Sequence, residues 1–326
     1  MRRQIIRRDL GLVAQKNSGR LNERGTLLIT MSSTIGIIGL GRVGMPVAQA
    51  YIIAGYNVVG YDIRSEVLRE LSKIGGEAAR SSGEVASVSD VIMIMVLNDK
   101  QVLEATINDG GILAGVRQGS VVICMSTIRQ KTLTSIWKKC EEKNIDFIDC
   151  PFTGGPARIA THSLTLIASG KQDVLEKIRP ILNVIGKIIP AGSTPGMGQA
   201  IKHCNQLLVG VTHAATMEVI TLARKMNLDP ALVAQVVGSG IAGSDYFRLL
   251  AESVINNKPS PGGLGQMSKD MSIVTDTLNA VAFDAKVAHA ASRYFSTATE
   301  QGMDDREGAD LIRIVEELGA KRNEAN

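Results

Sequence analysis

Short apolar runs alternate with helical patterns through the first half of this 326-residue chain. An isoleucine-rich run begins at Ile35, and later runs also have the length and composition of buried strands: Val91–Val96, Gly119–Met125, Asp146–Cys150, Leu164–Ala168 and Lys187–Pro190. Helical patterns lie between several of these runs, over Lys100–Ile107, Arg129–Glu142 and Asp173–Ile185. Strands that alternate with helices are typical of an α/β fold with a doubly wound parallel sheet.

The pattern changes at the loop Gly192–Gly196, after which no strand pattern follows. Gln199–Lys225 is predicted to be one long helix, and five more helices are predicted after it: Pro230–Val237, Asp245–Ile255, Gln266–Asn279, Ala285–Gln301 and Ala309–Lys321. We therefore predict a dinucleotide-binding sheet domain over residues 34–194 and an all-helical substrate domain over residues 195–326. The aliphatic helices need more cover than one long helix gives, so we expect a homodimer or homotetramer.

Composition predicts an aliphatic core, because 44% of the residues are hydrophobic but only 3% are aromatic. No apolar run approaches the roughly 20 residues that a membrane span needs, so we expect no membrane association. The net charge of +4 is concentrated in residues 1–30, which hold seven basic and two acidic side chains. The remaining 29 basic and 30 acidic side chains nearly cancel, so we expect no nucleic-acid partner.

Residues 1–33 begin with little periodic apolar pattern, and three interpretations compete. A mitochondrial leader would be rich in arginine and serine and poor in acids, but Ser18 is the only serine before Met31, and Asp9 and Glu23 interrupt the basic residues. A flexible tail is the second interpretation. We favour the third, in which Met31 is the true start and the preceding residues are a disordered or non-native extension of a cytoplasmic protein.

The cysteines and histidines are scattered and form neither a C-x-x-C pair nor another metal-binding motif. They are Cys124, Cys140, Cys150, Cys204, His162, His203, His213 and His289. We expect the four cysteines to be reduced, small apolar residues of a cytosolic protein, and we expect no metal site.

The stretch from Ile35 to Asp62 carries the most specific signal. Gly39, Gly41 and Gly44 form a G-x-G-x-x-G turn between the first strand and a helix, and Asp62 follows the second strand 21 residues after Gly41. The glycines permit a tight turn, close approach of a pyrophosphate and close packing of helix on strand, while the helix N-terminus attracts phosphates. We predict that a Rossmann-type sheet binds a dinucleotide through Gly39, Leu40, Gly41, Arg42, Val43, Gly44 and Asp62.

Asp62 also predicts which dinucleotide binds. Its carboxylate can accept hydrogen bonds from both ribose hydroxyls and would repel a 2′-phosphate, which favours NAD over NADP. Arg64, two residues further on, could weaken that preference, so NADP stays open.

Loops that follow the strands are candidate ligand contacts, because open α/β sheets bind ligands at the carboxyl ends of their strands. Leu97 follows one strand, and we expect it to contact the cofactor. Ser126 and Thr127 follow the next strand. Their hydroxyls could bind the nicotinamide ribose or cap the following helix.

A third loop contains Thr153, Gly154 and Gly155. Its hydroxyl and bare backbone N–H groups suit a substrate carboxylate. A plain turn explains the same residues equally well.

Lys202 is an unusual residue near the start of an otherwise apolar helix. Asn205 and Gln206 follow it by three and four residues and share its face. Desolvation in a cleft would lower the pKa of a lysine and let it exchange a proton, whereas a solvated lysine at a helix end is the alternative. Lys269 and Asp270 open a later helix and could be an ordinary surface ion pair.

Together these motifs resemble the β-hydroxyacid dehydrogenase family over about Ile35–Glu316. Four motifs carry the resemblance: Gly39-x-Gly41-x-x-Gly44-x-Pro46, Asp149-Cys-Pro-Phe-Thr153-Gly154-Gly155, Gly196-x-Gly198-x-x-x-Lys202-x-x-Asn205, and Lys269-Asp270. The resemblance implies that Lys202 is the catalytic acid/base and that Asn205 orients the substrate. It further implies a substrate carboxylate held at Thr153, Gly154 and Gly155, and a cofactor contacted by Thr127 and Lys269.

Some positions depart from the family pattern. Arg158-Ile159 and His162-Ser163 stand where the family commonly has Gly-Ala and Gly-Thr, and Gln206 stands where a second asparagine is usual. Because these positions flank the expected pocket, Arg158 and Gln206 are candidate substrate contacts. The L-threonate branch also looks basic at the position of Arg158, which favours a small polyhydroxylated acid.

We therefore expect NAD-dependent oxidation of a 3-hydroxy carboxylate, or the reverse reduction. An NADPH-dependent reductase of aldehyde acids such as glyoxylate or tartronate semialdehyde is the alternative enzyme. Imine reductases share the fold but usually lack the lysine. A non-catalytic nucleotide-binding module would also lack it, and Lys202 is present.

Overall fold

The computed structural model describes residues 33–155 and 158–321. The predicted extension over residues 1–33 therefore lies, apart from Ser33, outside the described residues.

Within residues 33–155 and 158–192, nine strands form one sheet. They are β1 Thr34–Ile38, β2 Asn57–Tyr61, β3 Glu77–Ala78, β4 Val91–Ile94, β5 Val121–Cys124, β6 Asp146–Asp149, β7 Phe152–Thr153, β8 Leu164–Gly170 and β9 Gly186–Gly192. Their order is β3-β2-β1-β4-β5-β6-β8-β7, with β9 beside β8. The pairings from β1 to β6 are parallel, as predicted.

The far end of the sheet is mixed, which the sequence pattern did not predict. β8 runs antiparallel to both β6 and β7. The described residues between β7 and β8 contain no crossover helix, and parallel pairing would need one. The loop Thr153–Gly155 therefore begins inside a short strand and leads into an antiparallel turn.

In the described part of the first half of the chain, seven α-helices cover the two faces of the sheet. They are α1 Gly44–Ile53, α2 Ser65–Lys73, α3 Ser82–Val88, α4 Asp99–Ile107, α5 Ile112–Gly115, α6 Gln130–Glu142 and α7 Gln172–Leu182. Because both faces are covered, every residue of β4 and β5 is buried, and the core is aliphatic. Our prediction omitted the short helices α2 and α3. The first buries only Val67 and Leu71, and the second starts from a Ser81 cap rather than a long apolar pattern.

The second half is helical. Its helices are α8 Met197–Lys225, α9 Pro230–Ser239, α10 Asp245–Asn256, α11 Leu264–Ala280, α12 Lys286–Glu300 and α13 Leu311–Lys321, with a 3-10 turn at Gly308–Asp310. The central helix α8 contributes Met217 and Ile220 to a core shared with Phe247, Leu250 and Phe295.

By length and composition alone, α8 could span a membrane. Half of its most apolar window is buried inside the protein. It also buries polar side chains, among them Gln199, Lys202 and His203. These features are typical of a core helix in a folded domain.

Candidate active site

The glycine turn between β1 and α1 has the predicted geometry. Gly39 has a φ of +92°, and a Cβ there would lie 2.6 Å from the carbonyl oxygen of Met95. A Cβ on Gly44 would lie 1.9 Å from the carbonyl oxygen of Gly39, so glycine is required for this approach of helix to strand. A Cβ on Gly41 would meet only Arg64 Nη2, at 3.9 Å. The turn therefore leaves space for a pyrophosphate above Gly41, and its residues fit a dinucleotide.

Asp62 lies at the end of β2 and is buried. Its Oδ2 accepts a hydrogen bond from Leu40 N (2.8 Å) and from Arg64 Nη2 (3.0 Å), while its Oδ1 accepts from Arg64 Nε (2.9 Å). Burial alone would raise the pKa of this carboxyl, but the hydrogen bonds from Arg64 and Leu40 lower it overall. Asp62 is therefore ionised and shares its negative charge with Arg64.

The loops after β4 and β5 meet beside the glycine turn. Ser126 donates its hydroxyl to the carbonyl oxygens of Val96 (2.7 Å) and Ile94 (3.3 Å). The N-cap residue of α6 is Arg129, whose own side chain makes no capping hydrogen bond and whose N–H is accepted by Asp99 Oδ1 (2.9 Å). The hydroxyl of Ser126 therefore holds the β4 loop and does not cap α6. Leu97, whose side chain is half exposed, stays a predicted cofactor contact.

The loop after β7 is built on two consecutive glycines with positive φ, Gly154 at +126° and Gly155 at +72°. A Cβ on Gly154 would lie 2.8 Å from Cδ of Arg158, so the arginine side chain packs directly over this turn. Its guanidinium Nη2 lies 3.5 Å from Oδ2 of Asp245, the first residue of α10. Arg158 thus links the carboxylate-binding candidate Thr153–Gly155 to the helical domain.

Lys202 is only 8% exposed, so the solvated-lysine alternative is wrong. Burial lowers the pKa of Lys202 to about 8, with Asp270 opposing this effect and Lys269 adding to it. Among the described residues, its ammonium has no hydrogen-bond partner. Lys202 is therefore a desolvated amine that changes protonation state near pH 8.

A polar network surrounds Lys202. Asn205 Nδ2 donates to Gln206 Oε1 (2.8 Å), and Gln206 Nε2 donates to Asp270 Oδ2 (2.6 Å). Lys269 Nζ lies 2.6 Å from Asp270 Oδ1 and donates to the carbonyl oxygen of Thr127 (2.9 Å). Lys269 and Asp270 are therefore no surface pair, because the carboxylate is fully enclosed. The network joins Asn205 and Gln206, which share the face of Lys202, to the β5 loop that is predicted to contact the cofactor.

The start of α8 is fixed by a buried carboxylate. Asp149 Oδ2 accepts from the backbone N–H groups of Gly196 (2.9 Å) and Gln199 (3.0 Å) and from Ser169 Oγ (3.0 Å). Burial raises the pKa of Asp149, although these hydrogen bonds oppose the rise. A carboxylate at a helix N-terminus is stabilised by the helix dipole, so α8 is held against the carboxyl end of β6.

Two further side chains of α8 hold the β5 loop. Gln199 accepts from Ile128 N (3.1 Å) and donates to the carbonyl oxygen of Ser126 (2.9 Å). His203 Nε2 lies 3.0 Å from the carbonyl oxygen of Ile128, and since a carbonyl only accepts, this nitrogen is assigned the proton. Thr127 therefore sits in a loop that is tied on both sides to the helix of Lys202.

Two arginines connect the halves of the molecule at the edges of this site. Arg42, in the glycine turn, donates to the carbonyl oxygen of Ser260 (3.3 Å) and lies 3.6 Å from Oε1 of Glu307. Arg129 pairs with Asp99 (2.8 Å) on α4 and with Asp276 (2.5 Å) on α11.

No group of three or more His, Cys, Asp or Glu side chains that could hold a metal ion occurs within residues 33–155 and 158–321. All four cysteines are free thiols; three are buried, but Cys204 is exposed on α8.

Two family models match the chain. The model described as the NAD binding domain of 6-phosphogluconate dehydrogenase matches residues 34–200, and the NAD-binding model of NADP-dependent 3-hydroxyisobutyrate dehydrogenase matches residues 196–315. L-threonate dehydrogenase from Cupriavidus necator is 30% identical over 286 residues, which cover 87% of this chain and 96% of that protein. The chain belongs to the β-hydroxyacid dehydrogenase family.

Other members of the β-hydroxyacid dehydrogenase family are similar to this chain in sequence and fold. The mitochondrial 3-hydroxyisobutyrate dehydrogenase of Mus musculus is 27% identical over an alignment that covers 92% of this chain and 94% of the mouse protein. The crystal structure of 3-hydroxyisobutyrate dehydrogenase from Salmonella typhimurium superposes with a TM-score of 0.81 at 28% identity, over 87% of this chain and all of that one. The protein is accordingly an NAD(P)-dependent hydroxyacid dehydrogenase.

Sequence reasoning missed several residues that organise this dehydrogenase site. Gln199 and Glu307 gave no signal of their own. Asp149 ends an apolar strand, and such a carboxylate could have been identified as a candidate helix anchor. Asp270 was noticed as half of an ordinary surface pair and as part of the Lys269-Asp270 motif, but its burial was not predicted, because it depends on α8 and α11 packing together.

Proposed function

We propose that this protein oxidises a 3-hydroxy carboxylate with NAD(P), with Lys202 as the general base. In this direction the neutral amine of Lys202 takes the proton of the substrate hydroxyl, and the amine becomes an ammonium. The bound cofactor supplies a nicotinamide ring that accepts hydride from the carbon bearing the hydroxyl. Reduction uses the same groups in reverse, with the ammonium as the acid.

The observation that carries this proposal is the buried Lys202 with a pKa of about 8. A catalytic base works best when its pKa lies near the operating pH. The N–H groups of Gly154 and Gly155 and the hydroxyl of Thr153 are proposed to hold the carboxylate. Asn205 is proposed to orient the substrate hydroxyl toward Lys202.

We propose NAD as the preferred cofactor, because an ionised carboxylate at the end of β2 can accept hydrogen bonds from ribose hydroxyls and would repel a 2′-phosphate. The guanidinium of Arg64 donates hydrogen bonds to both carboxylate oxygens of Asp62. This contact favours the alternative, an NADPH-dependent reductase of aldehyde acids. Steady-state rates with the two cofactors separate these proposals. A strong preference for NADPH with glyoxylate or tartronate semialdehyde would support the reductase instead.

The catalytic role is tested with Lys202→Met in a panel of hydroxy acids with NAD. We expect kcat to fall by about 100-fold or more, while the affinity for NADH, measured by fluorescence titration, stays within about twofold. Lys225→Met is the matched control, since Lys225 lies on the same helix but is exposed. Unchanged turnover in the Lys202 variant would remove its proposed role.

For the substrate we propose a small polyhydroxylated acid of the kind that the L-threonate dehydrogenases are named for. The guanidinium of Arg158 is a hydrogen-bond donor, and the carboxylate of Asp245 is an acceptor. Their Nη2 and Oδ2 atoms lie 3.5 Å apart. A hydroxyl can accept from one and donate to the other. A methyl group would satisfy neither, and a second carboxylate would be repelled by Asp245.

This proposal predicts the selectivity of an Arg158→Ala variant. We expect kcat/KM for L-threonate to fall about tenfold, the effect of losing roughly 1.4 kcal/mol of binding, while kcat/KM for 3-hydroxyisobutyrate changes little. Arg179→Ala, which removes an arginine paired with Glu176 on α7, is the control. Equal losses for both substrates would contradict a role of Arg158 in selectivity.

A further inference from the structure

The outward face of α8 leaves a row of large apolar side chains in water. Ile201, Leu208, Leu222 and Met226 have relative exposures of 46%, 65%, 57% and 58%. Exposed apolar side chains are ordinary when they are scattered. Here they lie along one helix whose other faces pack against five helices of the same domain, and no described residue covers them.

The row is symmetric about Ala215, and we call it the Ala215 row. Its steps are four, three, four and again four, three, four residues, so its members share one face of the helix. They are Cys204, Leu208, Val211, Ala215, Val219, Leu222 and Met226. Counted outward from Ala215 in either direction, a valine follows after four residues, a leucine after seven and a sulfur-containing residue after eleven.

Such symmetry is what a two-fold contact between identical chains requires. In that contact, residue i of one copy meets residue j of the other, and j meets i. Two antiparallel copies of α8 with Ala215 on the axis fulfil this condition, since every member of the row then faces one of its own kind. The small side chain of Ala215 lets the helix axes approach to about 8–10 Å.

Charge does not oppose the contact of two identical faces. Between Lys202 and Arg224, the only charged residue of α8 is Glu218. Its Oε1 accepts a hydrogen bond from the hydroxyl of Tyr294 on α12 (2.6 Å), and in the antiparallel pair it stands opposite Thr212. No like charges therefore meet, and the face offers no charge that would select a different protein.

The direction of pairing follows from the place of the sheet domain. The N-terminal end of α8 is fixed to the sheet through Asp149, so each copy carries its sheet domain at that end. A domain of about 160 residues has a radius of gyration of about 15 Å, whereas packed helix axes are only about 8–10 Å apart. Parallel helices would crowd two sheet domains at one end, and antiparallel helices place them at opposite ends.

The area of the Ala215 row indicates that a neighbouring helix completes the interface. The row spans about 34 Å at 1.5 Å per residue, and a helix is about 10 Å wide. This strip of about 340 Å² is less than half of the roughly 800 Å² per partner in a standard interface. Helix α9, which packs against α8, buries only Gly238 and leaves Leu232 and Val236 exposed. It therefore supplies further apolar area.

We propose that the Ala215 row, extended by α9, binds a second copy of this chain across a two-fold axis at Ala215. The two α8 helices run antiparallel, and the resulting dimer stands alone or forms half of a tetramer. This assignment fixes the surface, the direction and the register of the contact. Leu208 of each copy faces Leu222 of the other, and Cys204 faces Met226.

Disulfide cross-linking of the full-length protein tests this register. In a Cys204→Ser background, Ala215→Cys places two thiols on the axis, and mild oxidation should link the two chains there. With Cys204 retained, Met226→Cys should give a disulfide between Cys204 and the introduced cysteine of the second copy, identified by peptide mass spectrometry. The wild type should stay unlinked, because its two Cys204 side chains lie 22 residues, or about 33 Å, apart along the pair.

Arg224→Cys is the matched control for cross-linking. Arg224 is exposed and lies two residues before Met226, but on the opposite side of the helix. It should give no cross-link under the same oxidation. A disulfide between the two wild-type Cys204 thiols would show parallel helices and overturn the proposal, as would the absence of cross-links in both the Ala215→Cys and Met226→Cys proteins.

Charge substitutions test the same contact without oxidation. Leu208→Lys alone, or Leu222→Glu alone, would bury a charge against leucine, and each should halve the mass of the assembly measured by sedimentation equilibrium. Together they set lysine opposite glutamate twice, so the mass should return to that of the wild type. Leu249→Lys, at an exposed leucine of α10, is the control and should leave the mass unchanged.

Rescue by the double variant is specific for the antiparallel register, because parallel helices would set lysine against lysine. A variant that merely unfolded could not regain its mass through a second charged substitution. A wild type that sediments as a monomer would overturn the proposal, and so would an assembly that Leu208→Lys leaves intact.

Discussion

At the scale of single residues, the amine of Lys202 is a site where function opposes stability. In the unfolded chain the ammonium of Lys202 has the ordinary lysine pKa of 10.5. In the folded protein burial lowers this pKa to about 8. Below about pH 8 the folded state must therefore enclose a charge that the unfolded state leaves in water. A difference of this size corresponds to about 3 kcal/mol, at 1.36 kcal/mol per pKa unit.

Lys202→Met should accordingly be more stable than the wild type at pH 7, by about 3 kcal/mol at most. Between pH 8 and 10.5 the folded protein has lost the proton and the unfolded chain has not, so the wild type gains stability as the pH rises. The advantage of the variant should therefore shrink across this window. Urea unfolding at pH 7 and pH 10 measures the difference in unfolding free energy between the variant and the wild type, with Lys225→Met as the control. A difference that does not change with pH would contradict the effect of the buried charge.

The residues that the sequence predicted well are those whose role depends on their own backbone or on one element. The φ of Gly39 and the close approach at Gly44 follow from a strand, a turn and a helix that are adjacent in the chain. Lys202 was identifiable because a lysine contrasts with an apolar helix. The charges around Lys202 were not predictable, because Asp270, which raises its pKa, lies 68 positions away and comes near it only when α8 and α11 pack.

At the scale of elements, the start of α8 determines where Lys202 stands. Gly198 donates its N–H to Ser169 Oγ at 3.0 Å, and a Cβ on it would lie 2.6 Å from the carbonyl oxygen of Ile167 and 2.9 Å from Oδ2 of Asp149. Neither oxygen can retreat easily, since both belong to the packed end of the sheet. The helix must therefore shift if this glycine is replaced.

We predict that Gly198→Ala destabilises the protein by about 1–3 kcal/mol, the usual cost of overpacking, and also lowers kcat. Gly319→Ala is the control, because a Cβ on Gly319 in α13 would have nothing within 4 Å. That substitution should stabilise the protein by up to about 1 kcal/mol through helix propensity. Urea unfolding and turnover measure both variants, and a Gly198→Ala protein of unchanged stability would refute the close packing.

The sequence also predicted where the strands and helices lie better than it predicted which elements pack against each other. Every predicted strand and helix between Val91 and Lys225 has a counterpart within a few residues of the predicted ends. The antiparallel end of the sheet was not predicted, since the direction of β8 depends on the connection from β7 rather than on its own residues. The anchor of α8 was missed for a similar reason, because Asp149 and Gln199 meet across 50 positions.

At the scale of the whole molecule, the two domains meet where a cofactor pyrophosphate is expected. Arg42 belongs to the glycine turn of the sheet domain, yet its guanidinium lies 3.6 Å from Glu307 of the helical domain. Glu307 in turn accepts from Ser260 N and Ser260 Oγ, both at 2.9 Å. A pyrophosphate over Gly41 would compete with Glu307 for Arg42 and would also be repelled by this carboxylate.

Glu307→Gln should therefore bind NADH more tightly, by about threefold at low ionic strength, in keeping with the small energies of half-exposed ion pairs. The glutamine can still accept from Ser260, so the loop should keep its place. The gain should disappear at about 1 M salt, where charges are screened within about 3 Å. Glu316→Gln is the matched control, since Glu316 pairs with Arg224 at similar exposure within the helical domain. Fluorescence titration of NADH at both salt concentrations measures the effect, and a gain that persists at high salt, or that Glu316→Gln reproduces, would show that Glu307 does not compete for Arg42.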